Sequence, residues 1–168
     1  IWEDLADKNN NELLKNLGNF VNRCLSFIHN RMNATVPACG PKTERELKLI
    51  EDVNATLQKY NEAMYGTHLK AGLKWAMEIS RLGNQYLQDA EPWTVLKTNP
   101  ELCGTICYVA VNLIYLISNI FEPFMPGFAD KVCYQLNFDH GKIPEKYEEI
   151  IPAGHKINEI LPIFRSEE

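Results

Sequence analysis

The apolar residues of this chain recur at intervals of three and four positions, which is the period of an amphipathic helix, and no stretch alternates as a strand would. A first helix is predicted from about Asn9 to Met32. Its apolar face is formed by Leu13, Leu17, Phe20, Val21, Cys24, Phe27 and Ile28. Pro37, Gly40 and Pro41 then predict a loop, because proline and glycine interrupt helices.

Two further helices are predicted after this loop. Thr43 and Glu46 have the spacing of a capping box at the start of the second helix, and Gly66 suits its end. The apolar positions of that helix are Leu47, Ile50, Val53, Leu57, Tyr60 and Met64. The third helix is predicted from about Leu69 to Gln88.

The most apolar part of the chain predicts a central, buried fourth helix. This helix spans about Glu101 to Phe121 and follows a connection that Pro92 and Pro100 bracket. Pro126 suits the first position of a fifth helix, whose inward residues are Phe128, Val132, Cys133 and Leu136. The periodicity then weakens, so residues 150–157 are predicted to be extended or turn-rich. We therefore expect one all-α domain over residues 1–168, an antiparallel bundle of about five helices with an irregular C-terminal tail.

Charge and hydropathy narrow the classes of partner. The formal net charge of the 168 residues is −5. A domain that binds nucleic acid through its overall charge is usually basic, so an RNA-binding role has to rest on a local site. The most apolar run, residues 106–117, is about half as long as a membrane-spanning helix needs to be, so we expect no membrane partner.

The cysteines indicate the redox compartment. Their number, five, is odd, and several of them lie inside apolar helical patterns, which predicts free buried thiols in a reducing compartment. Two Asn-x-Thr tripeptides, at Asn33 and Asn54, favour secretion instead, but such tripeptides are frequent by chance. No signal peptide is visible, and a chain that starts at Ile1 without a Met is expected to be a piece of a longer protein.

The polar face of the first predicted helix is unusual because it is rich in asparagine rather than in Glu and Lys. Its residues are Asn19, Asn22, Arg23, Ser26 and Asn30. Asparagine is a poor helix former, so this row costs the helix stability. Amides and a guanidinium present the donors and acceptors that base edges need, and the i,i+4 spacing of Asn19 and Arg23 brings their tips together. An ordinary polar surface is an equally open interpretation.

Trp93, which directly follows Pro92 in the predicted connection, is the second candidate for binding. A loop Trp is most often a half-buried anchor, and less often a platform on which an unpaired base stacks. Asn84 and Gln88 lie just upstream and add amides near the same place. A single-stranded RNA loop is recognised by this combination of an aromatic surface and base-reading amides.

Other chemistries have less support in the sequence. Cys103 and Cys107 are four positions apart, but neither a Cys-x-x-Cys pair nor a His-x-x-x-His pair accompanies them, so no metal site is expected. The histidines are scattered and no nucleophile motif lies near them, so no catalytic residue is assigned. A helical protein-interaction module is a serious alternative, and it would need a large exposed apolar patch.

Four segments, in family order, resemble the methionyl-tRNA synthetases. Residues 17–23 are similar to the family signature Leu-Gly-Asn-x-x-x-Arg, and residues 84–86 with 92–93 are similar to its Asn-x-Tyr and Pro-Trp element. Residues 123–126 match its Pro-Phe-Met-Pro junction, and residues 151–155 and 161–164 resemble the end of eukaryotic-type members. Together the motifs span nearly the whole chain.

The resemblance implies a helical anticodon-binding domain and assigns roles within it. In the family, the Asn and Arg of the first signature contact anticodon bases, and the Trp after Pro stacks on one. These residues correspond here to Asn19, Arg23 and Trp93, with Pro92 shaping the turn. Further candidate RNA contacts are Asn22, Asn84 and Gln88.

The resemblance also implies partners and a location. The RNA would be the CAU anticodon loop of initiator and elongator methionine tRNA, and a Rossmann-type catalytic domain using ATP and methionine would belong to the same parent enzyme. The catalytic signatures His-x-Gly-His and Lys-Met-Ser-Lys-Ser do not occur in this sequence, so the chain alone is expected to be no enzyme and to need no cofactor. The eukaryotic-like tail implies the cytoplasm. The anticodon domain of another class I synthetase, such as that for isoleucine or valine, is a further alternative with the same architecture.

Overall fold

The computed structural model describes residues 8–163, with side chains from residue 11 onward. Within this range the helices are α1 (Lys8–Arg31), α2 (Glu44–Tyr65), α3 (Leu69–Ala90), α4 (Pro92–Thr98), α5 (Pro100–Phe121) and α6 (Pro126–Leu136). The all-α bundle that the sequence predicts is confirmed, and its five long helices are the five predicted ones. The short helix α4 was not predicted and replaces the expected connection.

The predicted capping box begins α2 and also ties it to α3. The backbone N–H of Thr43 donates to Oε1 of Glu46 at 2.8 Å. The other oxygen of this buried carboxylate accepts a bond from the hydroxyl of Tyr86 on α3 at 2.6 Å. Gly66 ends α2 as predicted, but with φ −82° it is not left-handed; the left-handed residue of that turn is Thr67, with φ 57°.

Helix α5 forms the centre of the core, as its apolar sequence predicts. It is buried from Cys103 to Phe121 except at Tyr108, and its neighbours include α1, α3, α4 and α6. It is long and apolar enough to cross a membrane, but 94% of its most apolar window is buried inside the bundle. Its apolar character therefore corresponds to packing against the other helices.

The tail after α6 is irregular, as predicted, and Asn112 of α5 holds it to the bundle. The side-chain amide of Asn112 accepts from the N–H of Ile151 at 2.8 Å and donates to its carbonyl at 3.2 Å. Further along, the carbonyl of His155 accepts from the N–H of Val36 at 2.8 Å. The His155 ring donates through Nε2 to the carbonyl of Leu136 at 2.8 Å.

The five cysteines are all free thiols, and four of them are buried. Burial raises the pKa of the Cys24 thiol to about 12, so this thiol stays protonated and packs as a small apolar group. Among the described residues, no group of three or more His, Cys, Asp or Glu side chains is arranged to hold a metal ion.

Candidate nucleic-acid interface

Helix α4 fixes the position of Trp93. Glu91 ends α3 in the left-handed region, with φ 46°, and its N–H donates to the carbonyl of Leu87 at 3.1 Å. Pro92 then occupies the first position of α4, and its carbonyl accepts from Sγ of Cys103 at 3.2 Å. The prediction that Trp93 lies in a loop was wrong, because proline at a first helical position starts a helix. Trp93 is half-buried and packs against the core, as the anchor interpretation predicts.

Arg23 of α1 and Trp93 of α4 lie together in the folded chain. The Cζ atom of the guanidinium is 4.8 Å from the centroid of the indole ring, which is within cation–π range. Arg23 is half-buried, and it has neither an ion pair nor a hydrogen bond with the described part of the chain. Its N–H donors are therefore uncommitted, beside an aromatic ring.

Two asparagines lie on the same polar face of α1 as Arg23. Asn19 is exposed, lies one turn before Arg23, and has no hydrogen bond within the described residues. Asn22 is also exposed, but its Oδ1 accepts a bond from the hydroxyl of Ser26 at 3.3 Å. The amide of Asn19 is consequently more available to a ligand than that of Asn22.

Asn84 and Gln88 lie one turn apart on α3, and Asn84 directly follows the residue at which α3 approaches α1. The neighbouring residue Gly83 has no side chain, and a Cβ there would lie 2.7 Å from the ring of Phe20 on α1. Oδ1 of Asn84 is buried and has no hydrogen-bond partner within the described residues. Buried acceptors are nearly always paired, so this one is a candidate ligand contact. Gln88 is exposed, one turn further along α3.

The basic residue nearest to these amides in the sequence is already engaged. Arg81, three residues before Asn84, forms two hydrogen bonds to Glu78 at 2.8 and 2.7 Å. The hydrogen bond from Arg81 is the main cause that lowers the pKa of Glu78. Arg81 and Glu78 are thus paired with each other, whereas Arg23 has no ion pair within the described residues. The candidate residues on α1, α3 and α4 are together called the α1–α4 surface: Asn19, Asn22, Arg23, Asn84, Gln88 and Trp93.

One feature of the α1–α4 surface lay outside the sequence predictions. Glu91 adopts a left-handed conformation that a non-glycine residue adopts at a cost of about 1–2 kcal/mol. The chain turns from α3 into α4 at Glu91, so the conformation of this residue sets the direction of α4, which carries Trp93. The signal in the sequence is the proline that follows it, since the right-handed helical conformation is disfavoured for a residue before proline.

Solved structures with this architecture define the class of the fold. The chain superimposes on Mycobacterium tuberculosis methionyl-tRNA synthetase bound by methionyl-adenylate with a TM-score of 0.83 and 18% identity, covering 97% of this chain and 33% of that one. The free form of that protein gives a TM-score of 0.81 and 18% identity, covering 93% of this chain and 32% of that one. At this identity the likeness establishes the fold alone.

The sequence comparisons then establish the family. The family model described as the anticodon binding domain of methionyl tRNA ligase matches residues 36–165, so the chain belongs to this family, as the resemblance predicts. The alternative of another class I synthetase is set aside. Helix α1, with Asn19 and Arg23, precedes the matched residues.

Curated relatives extend the likeness over α1. The probable cytoplasmic methionine–tRNA ligase of Dictyostelium discoideum is 42% identical over 168 residues, which cover 98% of this chain and 23% of that protein. The cytoplasmic methionine–tRNA ligase of Saccharomyces cerevisiae is 37% identical over 166 residues, covering 98% of this chain and 22% of that protein. The chain thus spans less than a quarter of the length of these relatives.

Proposed function

We propose that the chain binds the CAU anticodon loop of initiator and elongator methionine tRNA through the α1–α4 surface. In a full-length methionine–tRNA ligase of the cytoplasm, it would hold the tRNA while a separate catalytic domain joins methionine to it with ATP. Membership of the anticodon-binding family and the names of the cytoplasmic relatives support this assignment. The remaining three quarters or so of the relatives' length leave room for that catalytic domain.

The observation that carries the proposal is the pairing of Arg23 with Trp93. An unpaired base gains about 1–3 kcal/mol by stacking on an aromatic side chain. A base on Trp93 would lie beside the guanidinium donors of Arg23 and, one turn away, the exposed amide of Asn19. Stacking and edge reading would thus take place on the same base. Pro92 contributes by fixing the first turn of α4, from which the indole ring projects.

The chemistry of the side chains suits the bases of CAU. Arginine only donates hydrogen bonds, so it selects the ring nitrogen and carbonyl acceptors of a base. The unpaired Oδ1 of Asn84 only accepts, so it selects an exocyclic amino group, which cytosine and adenine carry and uracil lacks. The exposed amides of Asn22 and Gln88 offer both kinds of group at the edge of the same surface.

The net charge of −5 limits how much of the affinity comes from phosphate contacts. Binding to the isolated chain is therefore expected to depend on the bases more than on ionic strength. In the parent enzyme, contacts of the catalytic domain with the acceptor arm would add affinity that is independent of the anticodon sequence.

The proposal is tested by titrating the chain with a labelled anticodon stem-loop of about 17 nucleotides and following fluorescence anisotropy. The CAU loop should bind more tightly than each loop with one anticodon base changed, by about 1–3 kcal/mol for a base that is read directly. Arg23→Ala should remove this difference, and Arg31→Ala, the same truncation two turns further along α1, should retain it. Equal binding of all loops by the folded chain would favour the protein-interaction module instead.

A further inference from the structure

We infer that Arg23 is a displaceable cap on Trp93. In the free chain its guanidinium lies over the indole face on which an anticodon base is to stack, and the incoming base takes its place. This inference rests on the proposed function and adds to it an order of events: stacking first displaces the arginine, and the arginine then reads the base that displaced it.

The cap follows from the limited access to the Trp93 ring. The ring is half-buried and packs against the hydrophobic core. The bond between Cys103 and the carbonyl of Pro92 anchors the first turn of α4 to α5 and so fixes the backbone from which the ring projects. The guanidinium lies over the ring with Cζ 4.8 Å from its centroid. A base that stacks on the accessible face needs the volume that this guanidinium fills.

The contact is weak enough for a base to replace it. A cation–π contact near the surface stabilises a conformation by a factor of roughly 2–5. Stacking of a base on an aromatic side chain contributes a factor of roughly 5–140 in affinity. Arg23 has no ion pair or hydrogen bond within the described residues that would hold it over the ring. The exchange of guanidinium for base is therefore favourable.

Displacement makes the site more selective than stacking alone. A cognate base replaces the cation–π contact and then offers acceptors to the five donors of the released guanidinium. A base that stacks without suitable acceptors breaks the cation–π contact but forms no hydrogen bonds with the released guanidinium. The cap should thus lower the affinity for such a base by the same factor of roughly 2–5.

The first test concerns the free protein. In a chain that keeps Trp93 as its one tryptophan (Trp2→Phe and Trp75→Phe), acrylamide quenching of the indole emission reports access to the ring. Arg23→Ala should raise the quenching constant by roughly twofold or more, because the covered face opens. Arg31→Ala is the matched control and should leave it unchanged. An unchanged constant in Arg23→Ala would overturn the cap.

The second test uses three CAU stem-loops, each with one anticodon base replaced by an aromatic base that stacks but forms no hydrogen bonds. Arg23→Ala removes the guanidinium and the side chain that covers the ring, and Arg31→Ala is the control. For the loop whose non-hydrogen-bonding base meets Trp93, Arg23→Ala should bind roughly 2–5 times more tightly than the unchanged chain, while it binds the CAU loop more weakly.

The outcomes separate the cap from the proposed function. If Arg23→Ala weakens the binding of all three loops with a non-hydrogen-bonding base as well as that of the CAU loop, the guanidinium stays in place on binding, and the displacement is overturned while anticodon binding stands. If the unchanged chain binds no CAU loop in preference to its single-base variants, the proposed function fails and the displacement fails with it.

Discussion

The hydroxyl of Tyr86 donates a 2.6 Å hydrogen bond to the carboxylate of Glu46, and the two residues are 4% and 1% exposed. A buried carboxylate is costly unless its oxygens accept hydrogen bonds. Here the Tyr86 hydroxyl donates to one oxygen of Glu46, and the backbone N–H of Thr43 donates to the other. The contact joins the first turn of α2 to the end of α3, and α3 leads directly into Pro92 and Trp93. The buried pair of Tyr86 and Glu46 therefore helps to fix the end of α3, from which the chain continues to Trp93.

Removing the Tyr86 hydroxyl should destabilise the fold. Tyr86→Phe leaves one oxygen of a buried carboxylate without its donor, and we expect the free energy of unfolding in urea to fall by about 1.5–3 kcal/mol. Tyr134→Phe is the control, because the exposed Tyr134 hydroxyl bonds Glu159 at 3.2 Å on the surface. Its effect should stay within about 0.5 kcal/mol. A Tyr86→Phe loss as small as that of the control would mean that the buried pair does not stabilise the fold.

The free energy of unfolding should fall at alkaline pH, because the folded chain buries protonated Cys and Tyr side chains. Burial raises the pKa of Cys24 from 9.0 to about 12, and burial together with the bond to Glu46 raises the pKa of Tyr86 above 10.0. The folded chain therefore keeps protons that the unfolded chain releases above these ordinary values. Stability is fully present below pH 9 and falls above it, by about 1.4 kcal/mol per pH unit for each such group.

The measurement for this dependence is urea unfolding at intervals between about pH 8 and pH 11. In Tyr86→Phe the free energy of unfolding should decline less steeply above pH 10, because one titrating group is removed. Its value at neutral pH should be lower than that of the unchanged chain. A free energy of unfolding that stays constant through this range would contradict the burial of these protons.

Gly83 permits the close approach of α3 to α1. A Cβ at this position would lie 2.7 and 2.8 Å from ring atoms of Phe20 and 3.0 Å from a methyl of Leu113, all within the buried core. Gly83→Ala should therefore cost about 1–3 kcal/mol in thermal or urea unfolding. Gly127→Ala in α6 meets no atom within 4 Å, so it should leave stability equal or increase it by up to about 1 kcal/mol. If both substitutions stabilise, the two helices are not in contact at Gly83.

The sequence predicts the long helices because each has several turns of apolar periodicity, and it predicts two helix starts from Thr43 and Pro126. It does not predict α4, because seven residues are too few for a period to show, and prolines on both sides indicate a loop. The sequence predicts that the tail is irregular, but it does not predict which residue holds the tail to the bundle. Asn112 stands out in an apolar helix, yet nothing in the sequence identifies Ile151 as its partner.

The candidate site divides in the same way. The asparagine row on α1 and the Pro92–Trp93 pair are visible in the sequence because each is a local pattern. The contact between Arg23 and Trp93 is not, since it depends on how α1 and α4 pack in three dimensions. The unpaired Oδ1 of Asn84 likewise depends on neighbours that only the folded chain defines, whereas the pairing of Arg81 with Glu78 follows from their i,i+3 spacing on a predicted helix.

Asn84 should matter for binding and not for stability. Asn84→Ala removes a buried acceptor that has no partner within the described residues, so the free energy of unfolding should stay equal or rise by up to about 1 kcal/mol. Affinity for the CAU stem-loop should fall by about 1–3 kcal/mol if this acceptor meets a base amino group. Gln85→Ala, which removes a neighbouring amide already bonded to Asp89, is the control for loss of an amide. A loss of stability with unchanged binding would assign Asn84 a structural role.

The most direct test of anticodon reading is the emission of Trp93 during titration with the CAU stem-loop. It compares a chain whose one tryptophan is Trp93 with a chain that retains both Trp93 and Trp75, so that the difference between the two reports Trp75. Stacking of a base should quench Trp93 in a saturable manner, more strongly with CAU than with loops carrying a changed base, and leave Trp75 unchanged. Binding seen by anisotropy with no change in Trp93 emission, or with equal changes at both tryptophans, would contradict the assignment of the anticodon to the α1–α4 surface.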